Sequence, residues 1–181
     1  MSDELKSIKI YPVFNQAFYS REHAEGEYEL LGDALGRDFI IEKLVDGFLK
    51  SYKGSGTENA DWFTYGADVF APCNAIVQNV HINPNENVPR KVNQNPSSSV
   101  LFRTKDNVYI LYGHLIDIKV DVNDRVKVGQ VIGKCGNNGM SRFPHVHVGA
   151  WKDNKPLQIS VDLQALGDIR KEDIESYYFL K

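Results

Sequence analysis

A chain of 181 residues with 42% hydrophobic content can bury one core, which favours a single domain with decorated termini over two domains. Its 21 basic and 24 acidic residues leave a formal net charge of -3, too weak a field to gather nucleic acid or anionic lipid, so those partners are excluded. No window approaches the ~18 apolar residues of a membrane span, and the start Met1-Ser-Asp-Glu-Leu-Lys has no basic stretch leading into an apolar one, which predicts a cytoplasmic protein without a membrane span.

In chain order, Ser7 to Phe14 alternates weakly and reads as an edge strand, where Pro12 is tolerable because no ladder partner needs its N–H. Ser20 to Tyr28 is charged and reads as a loop. Within it Glu22-His23-Ala-Glu25 looks like a metal cluster but fits a hydrated charged turn, and His23 and His81 are both expected at the surface. From Arg37 to Lys53 the apolar residues Ile41, Leu44, Val45, Phe48, Leu49 and Tyr52 recur at helical spacing, and Gly54-Ser-Gly56 follows as a stop, which predicts one N-terminal helix. The neighbouring Lys53-Gly-Ser-Gly-Thr57 lacks the glycine spacing and the ending of a phosphate loop.

After Gly56 the sequence turns to short β-branched and aromatic runs broken by Gly, Pro and Asn. Strands are predicted at Ala67 to Phe70, Ala75 to His81, Val100 to Thr104, Val108 to His114, Ile118 to Val122, Val131 to Cys135 and His145 to Trp151. Asn83 to Ser99, with three prolines and five asparagines, has no periodicity. It is either the rim of a cleft or a tolerated surface insertion. Asp168 is placed as the cap of a short helix in the tail, whose Tyr178, Phe179 and Leu180 need a surface to pack on. Cys73 and Cys135 are too few for a disulfide framework and are read as free thiols. The division this suggests is an N-terminal extension over 1–57, a β domain over 58–160 and a C-terminal extension over 161–181.

Chemistry concentrates in two short segments. In Pro144-His-Val-His147 the two imidazoles are two residues apart on a strand, so both point to one face. Paired neutral imidazoles suit a divalent metal, or one metal ligand beside one proton carrier. Tyr112-Gly-His-Leu115 ends another β run and puts a third histidine where a strand meets a turn. Three of the five histidines in the chain fall in these two segments.

The order Tyr65-Gly-Ala-Asp-Val-Phe-Ala-Pro72, Tyr112-Gly-His-Leu115, Val126-Lys-Val-Gly-Gln-Val-Ile-Gly133, Gly136-Asn-Asn-Gly-Met-Ser141 and Pro144-His-Val-His147 resembles the lysostaphin-type (LytM-like) zinc metallopeptidases, which cleave peptide cross-links in peptidoglycan. The resemblance implies an all-β fold, a barrel-sandwich hybrid of the duplicated-hybrid-motif type, with the predicted helix packed outside it. It implies zinc as cofactor, a peptide or peptidoglycan-derived substrate, Asp68 and His147 as metal ligands, and His114 and His145 as the catalytic histidines. The family's first ligand falls on Thr64. A threonine hydroxyl is a poor zinc ligand, so the expectation is a weak or empty metal site unless Glu58, Asp61 or Cys73 fills the gap.

Two other functions share parts of this pattern. One is a degenerate relative that keeps the groove as a binding or regulatory module and has lost hydrolysis, in line with Thr64. The other is a phosphocarrier of the glucose-permease type, which also uses paired histidines but has no role for Asp68. Val120 to Gly133 is similar to the hairpin of biotinyl and lipoyl carrier domains, yet its turn has no lysine pair for a prosthetic group, so it is read as structural.

Overall fold

The computed structural model describes residues 6–179. It is mostly β, with two short α-helices near the C-terminus. The large sheet runs, in spatial order, through Arg125–Val126, Ala75–His81, Ser99–Arg103, Tyr109–Gly113, Val146–Lys152, Arg37–Ile41 and Phe18–Glu22, with Lys155–Pro156 paired to Val146–Lys152. A smaller sheet contains Leu115–Ile116, Val131–Cys135 and Asp68–Phe70. Phe39, Val69, Val77, Val100, Phe102, Ile110, Tyr112, Ile132, Val146 and Val148 are all fully buried and join strands of both sheets into one core. No helix among the described residues is long and apolar enough to cross a membrane.

The helix predicted over Arg37 to Lys53 is absent. In its place stand the strand Arg37–Ile41 and a hairpin of Lys43–Val45 with Phe48–Lys50. Two features of the sequence explain the correction. Phe39, Ile40 and Ile41 are buried consecutively, which suits a strand covered on both faces and not one stripe of a helix. Asp46 and Gly47 both have positive φ, 54° and 80°, the geometry of a two-residue type I′ turn for which Asp-Gly is a preferred pair. The apolar spacing that looked helical is the sum of a buried strand and a tight hairpin.

The remaining elements shift by less. The edge strand shortens to Ser7–Ile10 and pairs in parallel with Gln158–Val161. Ile118 to Val122 forms no strand; pairing moves to Leu115–Ile116, and Asp117 at φ 46° turns the chain away directly afterwards. The tail helix begins at Leu163, capped by Asp162, whose Oδ1 accepts from the backbone N–H groups of Gln164 and Ala165. Asp168 lies inside that helix, and Asp173 caps a second one, Ile174–Tyr178. Lys43, 3% exposed, fastens this second helix by donating to the Ser176 and Tyr177 carbonyls at 2.6 and 3.1 Å. Burial pushes its ammonium pKa down to about 8. Tyr177 packs inside, Phe179 stays exposed, and Leu180 lies outside the described residues.

Candidate metal and proton-transfer site

Four of the five histidines meet around one carboxylate. Strand Val146–Lys152 lies between Tyr109–Gly113 on one side and Arg37–Ile41 on the other, and the register sets His147 opposite both Gly113 and Asp38. His114 follows directly after the first of these partners, at φ 65°, and His145 directly precedes the central strand. His23 follows Phe18–Glu22, which pairs on the far side of Arg37–Ile41. Four adjacent strands therefore deliver these residues to one place, Asp38 and His147 from within a strand and His23, His114 and His145 from strand ends.

The distances define two halves. His147 Nδ1 is 2.9 Å from Asp38 Oδ1, and His23 Nε2 is 3.6 Å from Asp38 Oδ2. Ligand atoms of His23, Asp38 and His147 all lie within 4.8 Å of one another, close enough to share one cation. On the other side His145 Nε2 lies 3.6 Å from Asp38 Oδ1, and the His114 and His145 rings are 4.5 Å apart between centroids. All four imidazoles are largely shielded: the side chains of His23, His145 and His147 are 8–9% exposed, and His114 is 8% exposed.

Each ring is anchored from outside by a backbone carbonyl. His23 Nδ1 donates to Asp33 O at 2.8 Å, His114 Nδ1 to Asn138 O at 2.7 Å, His145 Nδ1 to Phe143 O at 2.8 Å and His147 Nε2 to Gly32 O at 2.7 Å. A carbonyl can only accept, so these contacts fix the tautomer of His23, His114 and His145 and turn a lone pair inward. The Gly32 carbonyl reaches His147 because Gly149 has no side chain: a Cβ there would sit 1.8 Å from that oxygen.

His147 differs from the other three. Both its nitrogens face acceptors, an arrangement that favours the doubly protonated, positively charged ring. Burial opposes that charge, but the hydrogen bond to Asp38 and the charge of that carboxylate outweigh it and raise the pKa. Burial would likewise raise Asp38, yet the hydrogen bond from His147 and the positive potential of His145, His147 and His23 hold it well below the usual carboxylate range. His114 and His145 are pushed down, mainly by burial. A divalent cation replacing the Nδ1 proton of His147 would meet two imidazoles and a carboxylate with their outer partners in place, the donor set of a three-ligand zinc site with an open position.

These shifts set a pH profile for the metal-free fold. His114 and His145 take up protons less readily folded than unfolded, so stability falls as pH drops through about 6.5. The contribution of His147 has the opposite sign, being complete below about 6.5 and lost as pH rises through its higher folded value. The contribution of Asp38 disappears only below the ordinary carboxylate value of about 4. Chelated protein is therefore expected to melt highest near pH 6.5, with Tm declining on both sides. A Tm that climbs steadily to about pH 8 would contradict the His147–Asp38 pairing.

Of the residues singled out in the sequence, His114, His145 and His147 come together and Asp68 does not join them. The Asp68 carboxylate, 45% exposed, is held by Lys134 Nζ at 3.1 Å, and among the described residues it belongs to no group of three close metal-ligating side chains. Thr64 is fully buried, and its Oγ1 accepts from the Ile41 backbone N–H at 2.9 Å. Glu58 and Asp61 cap a 3₁₀ turn between themselves, and Cys73 is half-buried with burial raising its thiol pKa, so none of the three suggested substitutes is drawn in. His81 is at the surface as expected. His23 is not: its side chain is 8% exposed and stacked on His147, with ring centroids 5.2 Å apart. His23 and Asp38 were missed because each is unremarkable locally. The available signal was Asp38 directly before the apolar run Phe-Ile-Ile, a carboxylate drawn partly inside by the strand it shares with that run.

Comparison with known proteins covers the C-terminal part of the site. The sequence model of Peptidase family M23 matches residues 59–159, a span that contains His114, His145 and His147 and ends well short of His23 and Asp38. The glycyl-glycine endopeptidase ALE-1 of Staphylococcus capitis is 53% identical over 36 residues, 20% of this chain and 10% of that protein, so the chain matches about a tenth of its relative's length. Among solved structures, the catalytic domain of the prophage-encoded protein EnpA from Enterococcus faecalis superposes with a TM-score of 0.53 at 22% identity, over 80% of this chain and 88% of that one. A zinc-containing peptidase from Vibrio cholerae gives 0.53 at 18% identity, over 84% of this chain and 39% of the other. These two share the fold. With the family's sequence model matching more than half of its length, and three histidines inside that span lying close together, the chain belongs to Peptidase family M23.

Proposed function

We propose that this protein is a zinc-dependent peptidase that hydrolyses peptide cross-links of peptidoglycan, with His23, Asp38 and His147 holding the metal and His114 and His145 handling protons. The observation that carries the reading is the outward anchoring of each imidazole on a carbonyl, which leaves inward-facing nitrogens around Asp38. The gap left by Thr64 is closed by His23 and Asp38, from a segment that precedes the family match, and Asp68 is released to pair with Lys134. The two sheets are read as the halves of a barrel-sandwich hybrid whose groove holds these side chains.

When bound, zinc polarises a carbonyl and lowers the pKa of a coordinated water from its far higher bulk value to about 7. The remaining work falls to this chain. His114 and His145, kept neutral at pH 7 by burial, present Nε2 lone pairs that can accept a proton from the attacking water and return it to the leaving amine. Asp38 compensates the charge that forms on His145, 3.6 Å away. Their separation from bulk solvent strengthens each of these contacts.

A binding module that has lost hydrolysis drew part of its support from Thr64, and that part ends once the third ligand comes from elsewhere. The phosphocarrier is not supported, because the chain falls in a peptidase family. The decisive experiment measures zinc in protein purified without chelator and amine release from purified peptidoglycan. About one zinc per chain is expected, with hydrolysis abolished by chelation and restored by zinc. Metal-poor protein that leaves peptidoglycan intact after zinc is added would overturn the proposal.

A further inference from the structure

We infer that Asn87 is a positioning residue for the two proton-handling histidines, acting from the asparagine-rich segment 83–99 on the turn 136–141. The inference rests on the roles proposed above for His114 and His145.

The turn 136–141 has no strand of its own to hold it, yet it carries the carbonyl that fixes His114, at Asn138, and the hydroxyl beside His145, Ser141 Oγ, 3.3 Å from Nδ1. Asn87 receives this turn from the other side. Its side-chain Nδ2 donates to Gly139 O and Ser141 O, both at 2.8 Å, and its backbone N–H donates to Asn137 O at 2.6 Å. Three alternate carbonyls of the turn thus end on one residue. Asn87 is itself 6% exposed and fixed in turn, its backbone carbonyl accepting from Asn59 Nδ2 at 2.8 Å and its Oδ1 from Asn93.

The far end of the same segment completes the grip. Ser98 N donates to Asn138 Oδ1 at 2.7 Å, and the backbone of Ser97 lies so near Gly139 that a Cβ there would come within 2.6 Å. Segment 83–99 therefore encloses the turn at both ends, and Asn138 is held between them. A side chain that replaced Asn87 without amide donors would leave two carbonyls of the turn without these partners, at a cost sufficient to move them toward water. Asn138 O would move with them, and His114 would lose the acceptor that selects its Nδ1–H tautomer. The inward nitrogen would then carry the proton in part of the population and could not act as a base. His23, Asp38 and His147 make no hydrogen bond to this segment, so metal binding is not routed through it.

The test uses zinc-loaded full chain, imidazole nitrogen NMR and peptidoglycan hydrolysis. The parent should show His114 as a single Nδ1–H tautomer. Asn87→Ala should show a mixture of tautomers and at least a tenfold loss of rate, with zinc content at the parent level. Asn87→Ser, which keeps one donor, should fall between, and it decides the matter by the same readouts if the alanine variant does not melt cooperatively. A folded variant whose His114 tautomer and rate match the parent overturns the inference, and so does loss of zinc in parallel with loss of rate. If the parent binds no zinc, the proposed function fails, while the tautomer comparison still reports on the positioning role.

Discussion

Replacing His23 by alanine is expected to abolish the zinc binding proposed for this protein, and replacing Asp68 by asparagine is expected to leave that binding untouched. The resemblance drawn from the sequence implies the reverse order, since it makes Asp68 the carboxylate ligand, and His23 lies outside the span matched by the family. Geometry decides between them. His23 Nε2 and His147 Nδ1 flank the two oxygens of Asp38, whereas the carboxylate of Asp68 is engaged by Lys134. Losing an outer partner of a metal ligand costs roughly 10- to 100-fold in affinity, so losing a ligand outright from a set of three should cost more than that. Asp68→Asn removes only a half-exposed ion pair, worth at most about 1 kcal/mol of stability. Zinc titration of His23→Ala, Asp38→Asn and Asp68→Asn against the parent checks the set, and the proposed ligands are wrong if Asp68→Asn is the variant that loses metal.

The contrast between what the chain reveals by itself and what it conceals follows from range. Ala75–His81 and Val131–Cys135 are legible at their true ends because alternation, β-branched residues and turn signals all act within a few positions. Pro144-His-Val-His147 is legible for the same reason, as two side chains on one face of one strand. The hairpin at Asp46-Gly47 was also local, and reading periodicity before turn chemistry hid it. His23 and Asp38 are a different matter. Asp38 and His147 are 109 positions apart and become neighbours only through the pairing of Arg37–Ile41 with Val146–Lys152. A one-residue slip in that register would send Asp38 to the opposite face. Nothing in the composition of Glu22-His23-Ala-Glu25 separates a ligand from a solvated turn, and only the carbonyl of Asp33, arriving from a neighbouring turn, makes that distinction.

Thr64→His, which restores the family's residue, is expected to weaken the fold without creating a better metal site. Thr64 is fully buried and receives the N–H of Ile41, the last residue of the strand that carries Asp38. An imidazole there is larger than the space that threonine fills, and overpacking of this kind costs about 1–3 kcal/mol. If the ring turns away from Ile41 to fit, a buried N–H is left unsatisfied at about 1–3 kcal/mol more. The expected loss is therefore about 3 kcal/mol, measured by denaturant unfolding of the metal-free protein. Zinc affinity should stay level or fall, because a disturbance at Ile41 is transmitted along three residues of strand to Asp38. Tighter zinc binding in Thr64→His would mean that position 64 does face the metal, and that His23 and Asp38 are supporting residues of a site centred on Asp68.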